Sequence, residues 1–98
     1  MRFRFRDKVL KRLYSDKNFG GGFSNEVVKA YRKRMALVRA APDERDFYAM
    51  KSLHYEKLSG DRKSQRSMRL NDQWRLILEI EETAAGRTAT IVAIEDYH

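Results

Sequence analysis

Apolar and basic residues alternate over positions 1 to 6, with Met1, Phe3 and Phe5 on one side and Arg2, Arg4 and Arg6 on the other. Period two predicts a half-buried strand, and arginines on its outer face suit a sheet edge. The spacing then becomes helical. Asp7 is placed to cap a short helix in which Val9, Leu10, Leu13 and Tyr14 share a face and Lys8, Lys11 and Arg12 look outward, ending around Asp16 to Asn18. Ser24 or Asn25 caps a longer helix running to about Ala40, with Glu26 in its first turn. Val27, Val28, Tyr31, Met35 and Val38 mark its buried stripe, and Lys29, Arg32, Lys33 and Arg39 its wet side. That basic side is either simply solvated or docks an acidic partner. Pro42 stops the helix, and Asp43-Glu44 starts a short one carrying Phe47 and Met50. Leu53 to Arg62 reads as loop or irregular strand, closing on the turn Ser59-Gly60-Asp61.

From Arg66 the period returns to two. Met68 and Leu70 alternate with Ser67 and Arg69, and Trp74, Leu76, Leu78 and Ile80 follow Asn71-Asp72-Gln73. This predicts a β-hairpin. A two-residue turn would set Leu70 opposite Gln73 and Met68 opposite Arg75. A three-residue loop over Asn71 to Gln73 sets Leu70 opposite Trp74 and Met68 opposite Leu76, so the longer loop is preferred. Arg69 and Arg75 then oppose each other on the other face. Like charges facing across strands are unfavourable, so the pair either holds an anion or splays into water. A connection from Glu81 to Arg87, containing Gly86, leads to a last strand, Thr90 to Ile94. The order is strand, two to three helices, then three consecutive antiparallel strands. That is an α+β fold: an N-terminal strand plus three C-terminal strands in one small antiparallel sheet, with helices on one face.

The last strand runs into Glu95-Asp96-Tyr97-His98. Those residues are either a polar tail or a group held at the sheet edge. In the second case a neighbouring anion raises the histidine pKa toward neutrality, where one ring both takes and gives a proton.

Length and composition narrow the classes. The 98 residues make one domain, spanning positions 1 to 98, and 42% hydrophobic content argues for a folded one. There is no cysteine, and His54 and His98 are the only histidines, so thiolate metal sites are excluded and a zinc site is disfavoured. No apolar run is long enough to span a bilayer, and the arginine-rich start is no secretory leader; a cytoplasmic protein is expected, with no membrane partner. A net charge of +7 points to a polyanionic partner, either nucleic acid or an acidic protein. Gly20-Gly21-Gly22 lacks the preceding strand and the following lysine and hydroxyl of a phosphate loop, and reads as a connector.

Three short motifs then fall in a telling order: Leu58-Ser59-Gly60-Asp61-Arg62, Ser67-Met68-Arg69-Leu70-Asn71-Asp72-Gln73-Trp74-Arg75-Leu76, and Glu95-Asp96-Tyr97-His98. Together they resemble HigB-type toxins of the RelE/ParE superfamily, the killer components of bacterial toxin–antitoxin pairs, over nearly the whole chain. The resemblance implies a RelE-like small twisted sheet and a ribosome-dependent endoribonuclease that cuts messenger RNA. It implies partners too: the 70S ribosome and its message, a HigA-like helix-turn-helix antitoxin, and operator DNA reached through that antitoxin. No metal or organic cofactor is expected.

Such a nuclease must deprotonate a 2′-hydroxyl, stabilise the charge on the attacked phosphate and protonate the leaving 5′-oxygen. Arg75 and Arg69 suit the charge, because guanidinium stays protonated and matches phosphate geometry. His98 suits the base or acid, with Tyr97 a second donor or a stacking platform, and Asp96 orienting His98 or holding the 2′-hydroxyl. Lys57, Arg62 and Lys63 would track RNA backbone, with Asn71 and Gln73 as further RNA contacts. Relatives often read Leu-His-x-Leu-Lys-Gly-Asp-Arg; here the histidine position holds Glu56 and the lysine position Ser59. His54 lies two residues earlier, and in an extended segment would point the same way as Glu56. The base is therefore Glu56, His54 as a substitute, or neither. Two other readings stand beside the nuclease: a ParE-like non-catalytic gyrase inhibitor, and a non-catalytic RNA- or ribosome-binding module.

Overall fold

A computed structural model describes residues 1–62, 64–84 and 86–97. Strand β1 (Arg2–Phe5) is followed by helices α1 (Lys8–Ser15), α2 (Asn25–Ala40) and α3 (Arg45–Ala49), then by strands β2 (Glu56–Lys57), β3 (Gln65–Arg69), β4 (Trp74–Thr83) and β5 (Gly86–Asp96). Short 3-10 turns cover Lys51–Leu53 and Gly60–Arg62. The helix starts follow the capping chemistry. Asp7 Oδ1 accepts from the Val9 N–H at 2.6 Å, and Ser24 Oγ accepts from the Val27 N–H at 3.2 Å.

The strands form one sheet in the order β1-β5-β4-β3-β2. It is α+β as the pattern predicts, with one more strand than expected and one different pairing. β1 runs parallel to β5, with Phe3 beside Ala89 and Phe5 beside Ile91. A parallel partner needs a long crossover, and here it runs through the three helices and strands β2 to β4. The extra strand, β2, is two residues long and pairs Glu56 with Ser67 and Lys57 with Arg66. The hairpin register follows the three-residue loop, with Met68 opposite Leu76 and Arg69 opposite Arg75. β4 extends to Thr83 and β5 begins at Gly86, so the connection expected from Glu81 to Arg87 is mostly strand.

One face of the sheet carries the core. Met68, Leu76, Leu78, Ala89 and Ile91 pack there against Leu10 and Leu13 of α1, Val27, Tyr31, Met35 and Val38 of α2, and Phe47 of α3. Two arginines of α2 work inside this layer rather than in water. Arg32 donates to the Leu13, Asp16 and Phe19 carbonyls and fastens the end of α1. Arg34 Nε donates to the Arg69 carbonyl at 2.8 Å, tying α2 to β3. Among the described residues no helix is long and apolar enough to cross a membrane.

Candidate functional site

Side chains alternate across a strand, so Ser67, Arg69, Arg75 and Ile77 lie on the face turned away from the helices. Ile77 is wholly buried yet outside the helix-facing core, because long polar side chains cover this face. A bulge between Ile77 and Leu78 shifts the β4–β5 register and leaves Arg75 opposite Glu95.

Arg75 is the centre of the arrangement, and only 11% of its side chain is exposed. Its Nη2 donates to the Ser67 hydroxyl at 2.8 Å and to the His54 carbonyl at 2.5 Å. The Glu56 carboxylate lies 3.9 Å from the same nitrogen. The Tyr97 ring covers the guanidinium with its centroid 5.1 Å away, a cation–π geometry that leaves the ring itself 43% exposed. Among the described residues Arg75 Nε is buried without a hydrogen-bond partner. A donor in that state lacks compensation for its lost hydration.

The other two arginines flank this centre. Arg62 donates to Gln65 and, through Nη2, to Glu95 at 2.9 Å. Arg69 pairs with Asp72 of the hairpin loop. The two opposed guanidiniums of the register pair therefore part company, each toward a protein acceptor rather than into water. Burial and the neighbouring Arg69 charge together lower the pKa of Arg34 from its usual value.

The backbone of residues 53–57 brings Glu56 to the site. His54 caps the preceding 3-10 turn with φ 44° and ψ 46°, a left-handed conformation that costs a non-glycine residue on the order of 1–2 kcal/mol. That departs from the extended backbone on which the expected shared direction of His54 and Glu56 depended. His54 reaches the site through its carbonyl, and its side chain is exposed. Alternation resumes at Glu56, which shares the Ser67 face, while Lys57 pairs with Arg66 on the helix side. There Lys57 lines a cleft of about 250 Å³ with Glu44, Arg66, Ile80, Glu82 and Arg87.

The remaining sequence candidates divide by position. Asp96 pairs with Trp74, so its side chain belongs to the face opposite Arg75, and it accepts from Gln73 Nε2 at 2.9 Å. Gln73 also receives the Tyr97 N–H on its carbonyl at 2.7 Å, fastening the tail to the hairpin loop. Asn71 turns its Oδ1 back onto the Gln73 and Trp74 N–H groups and shapes the loop. Lys63 and His98 lie outside the described residues. Ser67 and Glu95 enter the site without having been singled out in the sequence; the hairpin register, once fixed, places Ser67 on the Arg75 face.

The fold is shared with two solved structures. Over 100% of both chains, at 11% identity and a TM-score of 0.62, the structure is similar to the YoeB/ParE toxin from Agrobacterium tumefaciens. With 98% of this chain and 93% of the other covered, at 10% identity and a TM-score of 0.61, it is similar to YafQ from E. coli strain BL21(DE3). No curated protein matches the sequence. Residues 3–97 match the family model of the HigB-like toxin, the RelE-like toxin of the type II toxin–antitoxin system HigB, and the chain belongs to that family. It is thus the toxin component of a type II toxin–antitoxin system, the class whose members are paired with an antitoxin.

Proposed function

We propose that this toxin is a ribosome-dependent, metal-independent endoribonuclease that cuts messenger RNA and halts translation in the cytoplasm. The observation that carries the reading is the preformed Arg75 environment. A guanidinium is held by Ser67 and the His54 carbonyl beneath an exposed aromatic ring, with a carboxylate beside it. Arg75 would neutralise the charge that develops on the attacked phosphate, and Arg69 would hold a neighbouring one. Glu56 would take the 2′-hydroxyl proton as the 2′-oxygen bonds to phosphorus. Expulsion of the 5′-oxygen needs a proton, assigned to His98 on its sequence position alone. Tyr97 offers its free ring surface to an unstacked base. Arg62 and Lys63 would follow the RNA backbone, and a HigA-like helix-turn-helix antitoxin would neutralise the toxin and carry it to operator DNA.

Inducing the protein in bacteria and mapping messenger 5′ ends tests the reading. Cuts inside translated codons, lost in Arg75→Ala and His98→Ala, are expected. Intact messages with double-strand DNA breaks would instead indicate gyrase inhibition, and intact messages without breaks would indicate binding alone.

A further inference from the structure

On the helix side of the sheet lies a buried polar group that the proposed chemistry does not use. Glu44, whose side chain is 8% exposed, sits just before α3. Its Oε2 accepts from the Tyr55 hydroxyl at 2.8 Å and from Arg66 Nε at 2.8 Å. Arg87 approaches the other oxygen at 3.5 Å. The Tyr55 ring is clasped by Phe47 and Tyr48, with centroids 5.3 and 4.8 Å away. Burial and the bond to Glu44 push the Tyr55 hydroxyl far above the ordinary phenol range, so it remains a donor.

Tyr55 stands between the two residues that hold Arg75 from this segment, His54 through its carbonyl and Glu56 through its carboxylate. The left-handed backbone at His54 is disfavoured in isolation and persists where its surroundings over-determine it. Buried Leu53 on one side and the anchored Tyr55 on the other do so here.

We infer that Tyr55 and Glu44 are positioning residues for Arg75, their buried hydrogen bond fixing residues 54–56 so that the His54 carbonyl meets the guanidinium. The inference rests on the proposed role of Arg75 in RNA cleavage. With the tether gone, Arg75 Nη2 keeps Ser67 alone among the described residues, so the guanidinium leaves its pose. Glu44 retains Arg66 and Arg87 when the hydroxyl is removed, which separates positioning from folding.

Tyr55→Phe deletes the hydroxyl and keeps the ring. Glu44→Asp keeps the charge and withdraws the acceptor. Tyr48→Phe, altered at an exposed ring, is the control. Each full-length toxin would be checked for folding by thermal melting, then assayed for message cleavage on programmed ribosomes. Arg75 side-chain nitrogen signals would be followed by NMR in the absence of RNA. Tyr55→Phe and Glu44→Asp are expected to lower kcat about tenfold with KM unchanged, and to shift the Arg75 signals and quicken their hydrogen exchange. Tyr48→Phe should match the parent. Unmoved Arg75 signals, or a kcat equal to the parent's in the folded variants, overturns the inference. If the parent itself fails to cut message, the nuclease reading falls on its own, and the Arg75 signals still decide whether the tether holds that side chain.

Discussion

Arg75, Arg69 and Arg62 each lie beside a carboxylate: Glu56, Asp72 and Glu95 respectively. An RNA phosphate would have to displace these acids, and the weakest barrier should be at Asp72, whose side chain is 95% exposed. Exposed pairs are worth roughly 0.2–1 kcal/mol. Asp72→Asn is therefore expected to tighten binding of a single-stranded RNA by a factor of about 1.5–5, read by fluorescence anisotropy; weaker binding would mean that Asp72 serves the loop instead. At the centre, Arg75→Lys keeps a positive charge but loses the planar guanidinium whose Nη2 reaches both the Ser67 hydroxyl and the His54 carbonyl. Message cleavage on ribosomes is expected to drop roughly 100-fold, measured under single-turnover conditions beside a thermal melt that reports folding. The Arg69–Arg75 opposition was legible from period-two spacing alone. The His54 carbonyl was not, because a left-handed φ at a histidine leaves no mark on the order of apolar and polar residues. Asp96 was assigned by its company in the sequence; the register with Trp74 turns it to the other face, toward Gln73.

The elements stand on local chemistry that point substitutions can probe. Ser24→Ala removes the side-chain cap of α2 and should destabilise the domain by about 1 kcal/mol. In a protein of this size that lowers the thermal midpoint by about 4–8 °C, readable by circular dichroism. Across the strands, Arg6 reaches past β5 to hold Glu79 of β4 through two hydrogen bonds, at 2.6 and 3.2 Å. The bonds from Arg6 hold the Glu79 carboxyl below its usual pKa, and Gln65 adds to the effect. The folded protein thus binds a proton at Glu79 less readily than the unfolded chain does. This stabilisation is complete above the unfolded carboxyl range and is lost as pH falls through the folded value. Urea midpoints should fall further between about pH 7 and about pH 3 in the parent than in Arg6→Gln; equal falls would show that the pair contributes nothing. Long periodic elements were legible, with α1, α2 and the β3–β4 hairpin near their expected bounds. Strand β2 was not, since two residues show no period, and the parallel pairing of β1 depends on sheet order rather than on any stretch of sequence.

At the scale of the molecule, a net charge of +7 favours encounter with a polyanion, and on the proposed reading a few arginines would decide where it settles. RNA affinity should fall linearly on logarithmic axes as salt rises, and Arg62→Gln should reduce the slope by about 1, the change that follows when one fewer phosphate is neutralised. An unchanged slope would remove Arg62 from the RNA path. The strand order has a temporal side as well. β5 lies between β1 and β4 and is the last of the domain's strands in chain order, so β1 has no partner in the sheet until β5 has been synthesised. Pairings this distant along the chain form late in folding. A nascent copy therefore carries Arg75 before Tyr97 and Glu95 exist, and the face around Arg75 is assembled only once β5 has been made.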